Sequence, residues 1–420
     1  MFLKKESFPG VVSLVGCLLI FFASASFLRG FGLELNNPDA GLIQRLHPSF
    51  YLLTPFSLLI LISHFSGSDF SVRRSAEREG FISFSFCFYM AAVALALVCA
   101  MFGFTEASVA ATASTFLLPI FVYASTRLIT NSGADYLRKA LLLMIFANSL
   151  LGIFEKVFEY RLFEYIVGIT EKLNDNRPTA WFSHPLNNAL ITSIVLVGMI
   201  YSKYIERNIY YWIAVVAHVV ALFCFGGRTA AVAVALVIVV DYLASAFKLA
   251  KSGRGVLPLF IKTIGILLAC MAVYWLMGVG FIDSFVQRFV DDGGSAQVRW
   301  NTIKLVMDFD YIGALSGINA SSLQGLLSYY DIFNIEFSWF LLIMSHGLIV
   351  GCFLIVAMIA FIRDLCKGGG KSSLYMAFIF ISVTFGFTSI ASVSLLLSQL
   401  VIMIFIFKDR LVTRSGTAET

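Results

Sequence analysis

The sequence predicts an all-α polytopic membrane protein, and three observations lead to that prediction. The chain of 420 residues is 59% hydrophobic and only 13% charged. Its mean hydropathy is +0.87. Its apolar residues, among them 42 Phe, are gathered in runs long enough to cross a bilayer. A soluble domain of this size does not have this composition, so a soluble protein is excluded.

About twelve apolar runs of roughly 17 to 25 residues are predicted to span the membrane. They lie at about 10-28, 50-66, 81-102, 109-129, 138-155, 189-204, 209-225, 229-247, 257-280, 335-362, 372-388 and 391-407. The first is expected to be an uncleaved span, because no small-residue cleavage pattern follows it. The second, fifth and sixth are short or interrupted. Twelve crossings place both termini on one side.

The distribution of Lys and Arg predicts which side that is. With both termini in the cytoplasm, the inner side holds two thirds of the 30 basic residues. The inner side then carries a net charge of about +10 and the outer side about −5, which agrees with the positive-inside rule. The sequence therefore predicts cytoplasmic termini.

Three regions follow from this topology. Residues 1-280 are predicted to hold spans one to nine, with an outer loop at about 155-188. Residues 281-334 form a second, larger outer loop, in which 298–309 has the pattern of a short amphipathic helix lying against the membrane. Residues 335-420 hold spans ten to twelve and a cytoplasmic tail. The inner loops are short and carry no folded module, so any chemistry is expected outside.

Four arginines are candidates for binding an anion on the acidic outer side: Arg177, Arg228, Arg288 and Arg299. Arg228 follows two glycines in a long uncharged stretch, where an ionised guanidinium is costly. The guanidinium binds phosphate oxygens in pairs and stays charged, so converging arginines suit a diphosphate carried on a lipid. The alternative for each is an arginine that reaches lipid headgroups or pairs with a nearby acid, and it is strongest for Arg288.

Two further residues are candidates for proton transfer. Glu336 begins the tenth predicted span and is suited to act as a general base, or alternatively to stabilise the helix N-terminus or pair with an arginine. His184 precedes Pro185 at a helix start, where it binds the substrate, assists proton transfer or is a structural turn histidine. His218 and His346 lie inside spans and are predicted to make packing or interhelical contacts.

Motifs for other chemistries are missing from the sequence. It contains no nucleotide-binding loop, serine-hydrolase elbow or zinc-protease pair. Asp291 and Asp292 are adjacent but precede two glycines, which indicates a solvated turn. The seven cysteines have no metal-site spacing. We therefore expect neither a metal nor a cofactor.

Four passages, in this order, resemble the bacterial O-antigen ligase and Wzy-type polysaccharide polymerase superfamily over roughly residues 110 to 407. They are Arg177 with 183–187 (SHPLN), 226–230 (GGRTA), 298–300 (VRW), and 335–339 (IEFSW) with 346–351 (HGLIVG). Three positions depart from the family's pattern. Gly227 stands where many members have serine, 311–317 is a reduced form of a Pro/Gly motif, and Glu336 stands where O-antigen ligases typically have histidine. The last departure favours a polymerase, for example of exopolysaccharide.

The resemblance implies a GT-C-like fold and a metal-independent, inverting glycosyltransferase without cofactor in the bacterial inner membrane. Its donor would be an undecaprenyl-diphosphate-linked oligosaccharide, and its partners a flippase and a chain-length regulator. Arg177, Arg228 and Arg299 would bind the diphosphate, with Arg288 as a further binding candidate. Glu336 would take the hydroxyl proton and His184 would assist.

Two other classes stay open. A flippase for lipid-linked oligosaccharides also has about twelve spans, although such transporters usually show internal repeats and buried midplane charges. A non-catalytic scaffold of a polysaccharide assembly would tolerate replacement of all three arginines.

Overall fold

The computed structural model describes most of the chain. The described residues are 7–33, 35, 37, 40–66, 83–163, 166–167, 170–171, 177–203, 205–252, 260, 263–264, 271, 295–311, 314–332, 335, 337–386 and 393–408. Of the predicted elements, most of the ninth span (257-280) and the start of the large outer loop lie outside this set.

The described chain is almost entirely helical. The helices are α1 (Phe8–Phe22), α2 (Ala25–Arg29), α3 (Leu42–Arg45), α4 (Pro48–Phe65), α5 (Phe84–Met101), α6 (Val109–Thr112), a π-helical turn (Ala113–Leu117), α7 (Leu118–Ser125), α8 (Asn131–Phe158), α9 (Pro185–Tyr201), α10 (Ile209–Cys224), α11 (Arg228–Ser252), α12 (Ser295–Asp308), α13 (Ala320–Tyr329), α14 (Ser338–His346), α15 (Leu348–Leu365), α16 (Gly370–Phe385) and α17 (Leu396–Phe407). A two-residue hairpin, β1 (Ile166–Val167) with β2 (Thr170–Glu171), is the one described sheet.

Many of the described helices are long and apolar enough for a membrane. Five have at least 18 residues and an apolar window that can cross: α4, α5, α8, α11 up to Lys248, and α15. Six shorter apolar helices accompany them: α1, Val109–Ser125, α9, α10, α16 and α17. Together they make this a polytopic, membrane-embedded helical protein.

The helices begin where the sequence offers a capping side chain. Ser83 and Thr130 accept a backbone N–H at the starts of α5 and α8, and Asn208 does so for α10. Such caps satisfy backbone donors that have no partner within the helix, which matters more where water is scarce.

Contacts between helix ends define the two ends of the bundle. The upper end is the side where α9 and α11 begin and α16 ends, and the lower end is the opposite side. At the lower end, the Ser83 hydroxyl before α5 donates to Asp364 of α15 at 2.5 Å. There, too, the Tyr201 ring at the end of α9 lies 4.8 Å from the Tyr375 ring in α16. At the upper end, Arg45 donates to Ser108 at 2.9 Å, just before α6.

Two helices form the centre of the bundle. Both α9 and α17 are buried along almost their whole lengths. They pack closely at the lower end, where a Cβ added at Gly198 would lie 2.6 Å from the Phe407 ring. The first turn of α9 lies at the upper end of this buried pair of helices.

The tenth predicted span, 335-362, differs from the structure. It is two helices, α14 and α15, separated at Gly347, whose φ of +80° suits glycine alone. The start of α14 meets the end of α16, where the Ser338 hydroxyl donates to the Thr384 carbonyl. Its last residue, His346, bonds Thr112 at the end of the short helix α6 through Nε2 at 3.2 Å. Both contacts are at the upper end, so α14 lies across that end and α15 alone crosses.

Candidate functional site

Arg177 opens a loop, 177–184, that is folded tightly onto the upper end of α8. The loop is held by Glu155, whose carboxylate is only 3% exposed. Its Oε2 accepts the backbone N–H groups of Thr179 at 2.9 Å and Ala180 at 2.8 Å. Its Oε1 accepts the N–H of Leu162 at 3.0 Å. The sequence predicts Glu155 at the edge of an outer loop, whereas in the structure its buried carboxylate holds that loop by hydrogen bonds.

Two buried amides join the same loop to α9. Asn148 of α8 donates from Nδ2 to Asn188 Oδ1 at 2.9 Å and accepts the Trp181 N–H at 2.8 Å. Asn188 donates from Nδ2 to the carbonyls of Thr179 and His184. Sequence reasoning missed these residues. The available signal was the amide of Asn148 inside an apolar span, seven residues before Glu155 on the same helix face.

His184 is the N-cap of α9. Its Nδ1 accepts the backbone N–H of Leu186 at 3.2 Å, and Pro185 occupies the first helical position. The side chain is thus used to start the helix, which supports the structural-turn interpretation and places His184 beside Asn188.

Arg228 is the first residue of α11 and is half-buried. The turn before it uses Gly226 at a φ of +67°, and the Arg228 N–H donates to the Gly226 carbonyl at 3.1 Å. A Cβ added at Gly227 would lie 2.4 Å from the Cβ of Ala189 in α9. The close approach of α9 therefore requires glycine at position 227, where the superfamily that the sequence resembles often has serine.

These contacts form a short chain from one arginine to the other. Arg177 lies two residues before Thr179, Thr179 bonds Asn188, and the next residue, Ala189, touches Gly227 beside Arg228. The structure thus places the chain segments that carry Arg177, His184 and Arg228 beside the start of α9.

Arg299 is placed at the upper end by the packing of a different helix. It lies half-buried in α12, whose Leu305 packs with Phe340 and Met344 of α14. The apolar face of α12 therefore packs against α14. This packing places Arg299 on the α14 side of the upper end, whereas the other two arginines gather at α9.

Glu336 and Arg288 lie outside the described residues, but the chain next to Glu336 is described. The rings of Phe337 and Trp339 lie 6.0 and 6.1 Å from that of Phe385, at the end of α16. A Cβ added at the following Gly386 would lie 3.9 Å from Thr229 Oγ1. The residues that flank Glu336 therefore meet the end of α16 next to the first turn of α11.

Two buried histidines at the upper end, His47 and His346, add no positive charge near neutral pH. Burial lowers the pKa of His47 to about 4, against a smaller opposing effect of its 2.9 Å bond to the Ala23 carbonyl. Burial likewise lowers the pKa of His346 to about 4. Both are neutral at pH 7 and do not contribute to the cationic charge of this region.

The position of Arg228 is informative electrostatically. The N-terminus of a helix carries a partial positive charge, so a cation in the first turn is disfavoured by about 0.3–1 kcal/mol. An anion at the same place is stabilised by the helix and by the guanidinium together. The arrangement is suited to bind a phosphate or another compact anion. Among the described residues, no group of three His, Cys, Asp or Glu side chains is arranged to hold a metal ion.

The described fold and site define a class: a polytopic α-helical membrane protein with arginines gathered at one end of its bundle. Beyond that class the comparisons give no relative. No protein-family model, curated protein or solved structure matches the chain.

Proposed function

We propose that this protein is a metal-independent inverting glycosyltransferase that polymerises undecaprenyl-diphosphate-linked glycan repeat units at the periplasmic face of the bacterial inner membrane. The product would be an exopolysaccharide or an O-antigen chain. One observation carries the proposal: Arg177 and Arg228, far apart in sequence, flank the first turn of the same central helix at one end of the bundle.

The charge of the opposite end supports the orientation. Basic residues lie at or near the lower helix ends: Arg127, Arg138, Lys139, Lys203, Arg207, Lys248, Lys251, Arg363, Lys367, Lys371 and Lys408. By the positive-inside rule this end faces the cytoplasm. The upper end, with the candidate site, then faces the periplasm.

The reaction transfers the glycan from its lipid carrier to an acceptor hydroxyl. The hydroxyl oxygen attacks the anomeric carbon, the bond from that carbon to the diphosphate oxygen breaks, and the configuration inverts. Glu336 takes the hydroxyl proton, and undecaprenyl diphosphate leaves with the bonding electron pair. Negative charge grows on the leaving group, so preorganised arginines stabilise the transition state more than the ground state.

Each side chain has a separate task in this proposal. Arg177 and Arg228 bind the diphosphate, and Arg299 approaches from the α14 side. His184 supports the first turn of α9 as its cap, and Arg288 stays a further candidate. Asn148, Glu155 and Asn188 hold the loop that carries Arg177.

Two related outcomes are distinguished by the acceptor. A polymerase adds repeat units to a second lipid-linked glycan, whereas an O-antigen ligase transfers the chain to another carrier. A flippase would move lipid-linked glycan across the bilayer without chain growth. A scaffold would do neither.

The experiment is chain extension of a labelled lipid-linked repeat by the purified protein in proteoliposomes. We expect longer lipid-linked products from the wild-type protein. The Arg177→Ala and Arg228→Ala variants should each lower the rate by about 10²–10³, by analogy with loss of one oxyanion-hole contact. Arg127→Ala, at the lower end, is the control. Full activity in both upper-end variants, or transport without extension, would refute the proposal.

A further inference from the structure

Trp181 is held more firmly than its place in a loop requires. Its backbone N–H donates to Asn148 Oδ1 at 2.8 Å. Its indole N–H donates to the carbonyl of Phe22, at the end of α1, at 2.9 Å. Backbone and ring are thus both fixed to membrane helices, which sets the direction of the indole plane.

The loop is also strained on both sides of this residue. Ala180 has a φ of +39° and Ser183 a φ of +61°, a region that L-residues other than glycine rarely adopt. The strain is held by the buried network, since Glu155 accepts the Ala180 N–H, and by the Ser26 N–H, which donates to Ser183 Oγ at 3.3 Å. Conformations of this kind persist where the surroundings over-determine them, and they are concentrated at ligand sites.

Other aromatic rings extend the indole into a surface. Phe27 lies 5.7 Å from it with an angle of 32° between the planes, and Phe163 meets it edge-on at 5.2 Å. Phe31 follows at 5.1 Å from Phe27 and is 72% exposed. The half-buried indole is therefore the inner part of an aromatic patch that reaches the surface, four residues from Arg177.

An interfacial belt of aromatic residues is the simplest alternative for such a patch. A belt tryptophan turns its N–H toward water and lipid headgroups while the ring sits in the bilayer. The Trp181 N–H instead bonds a carbonyl of α1, and the residue sits in a strained loop that begins at Arg177. These features favour a ligand that needs a ring in one fixed orientation.

We propose that Trp181 is the stacking surface for a pyranose ring of the lipid-linked glycan, next to the diphosphate held by Arg177. This inference rests on the proposed function. A pyranose has an apolar face of C–H groups and polar edges of hydroxyls, so it fits an aromatic plane bordered by polar groups. Trp181 would then contribute to recognition of the sugar and not of the lipid diphosphate.

The test compares two probes in lipid nanodiscs: undecaprenyl-diphosphate-linked glycan purified from the membranes in which the protein resides, and undecaprenyl diphosphate alone. In the Trp181→Ala variant, binding of the glycan-bearing lipid should weaken about tenfold, the loss expected for one aromatic contact, while undecaprenyl diphosphate binds as before. Trp181→Phe keeps a ring and should lose less than about threefold. The control is Trp212→Ala, which removes an indole that is 52% exposed near the start of α10 at the lower end.

The outcomes separate this inference from the proposed function. Equal loss of both probes in Trp181→Ala, or no loss of either in a variant that remains monodisperse, would overturn the sugar-stacking role while leaving the proposed function in place. Wild-type protein that binds neither probe would overturn both.

Discussion

Replacing Glu155 by alanine should release the loop that carries Arg177 while leaving the helix bundle folded. The carboxylate accepts three backbone N–H groups, two of them from the fully buried residues Thr179 and Ala180. The third, from Leu162, belongs to a residue that is 55% exposed, and water can replace that partner. Only the two buried donors therefore contribute strongly to the cost.

The magnitude follows from those two donors. An unsatisfied buried donor costs about 1–3 kcal/mol, so Glu155→Ala should destabilise the folded loop by roughly 2–6 kcal/mol. Local opening by even the lower figure speeds amide exchange about 30-fold. Glu155→Gln keeps one oxygen that can accept from both buried donors, but that oxygen is no longer charged. Because hydrogen bonds to a charged acceptor are about twice as strong, this variant should lose about half as much stability as Glu155→Ala.

Hydrogen exchange followed by mass spectrometry measures this directly. Peptides that contain 177–184 should exchange faster in Glu155→Ala, with little change in α9 beyond its first turn. Glu159→Gln, an exposed glutamate four residues later, is the matched control. Unchanged exchange of the loop in Glu155→Ala would show that the carboxylate does not hold it, and the account of how Arg177 is positioned would be wrong.

Three further predictions concern packing, pairing and pH. Gly227→Ala should lower the stability of the fold by about 1–3 kcal/mol, because the added methyl group overlaps Ala189. Adding Ala189→Gly to this variant should restore the midpoint of thermal unfolding. An unchanged midpoint in Gly227→Ala alone would contradict the close contact. Lys371→Met should lower stability by about 1–2 kcal/mol, because it removes the cation that pairs with the buried Asp241 between α16 and α11. The double variant Lys371→Asp with Asp241→Lys exchanges the two charges and should recover the midpoint of thermal unfolding in detergent. An unchanged midpoint in Lys371→Met would show that the pair contributes nothing. Because burial lowers the pKa of His346 to about 4 from 6.5, the unfolded chain binds a proton that the folded chain excludes as pH falls through this window. Stability should therefore be full above pH 6.5 and lower by about 2 kcal/mol at pH 5, with a smaller dependence in His346→Asn; equal pH profiles would contradict it.

The sequence was sufficient for the polytopic membrane class, because apolar runs follow from the bilayer itself, and five described helices are long and apolar enough to cross it. It was misleading at 335-362, where the composition stays apolar through Gly347. The break there depends on a left-handed glycine and on contacts with α6 and α16, neither of which leaves a hydropathy signal.

The candidate site was predictable in part. Arg228 could be selected because an isolated guanidinium in an apolar stretch is costly, and Arg177 because it is one of few arginines on the acidic outer side. Their meeting at α9 could not, since it depends on the Gly227–Ala189 contact and on the Asn148, Glu155 and Asn188 bonds. His218 and His346 were predicted to make interhelical contacts, and this is confirmed by their bonds to Ser149 and Thr112.

The central claim, that Arg228 stabilises a departing diphosphate, is tested most directly by the rate of glycan transfer in Arg228→Lys. Lysine keeps the charge but not the planar pair of donors, so the account predicts a rate lowered by at least about tenfold. Binding of the lipid-linked glycan should weaken less than the rate, because the contact strengthens as the diphosphate leaves. Transfer at the wild-type rate in Arg228→Lys and in Arg228→Ala would contradict the claim.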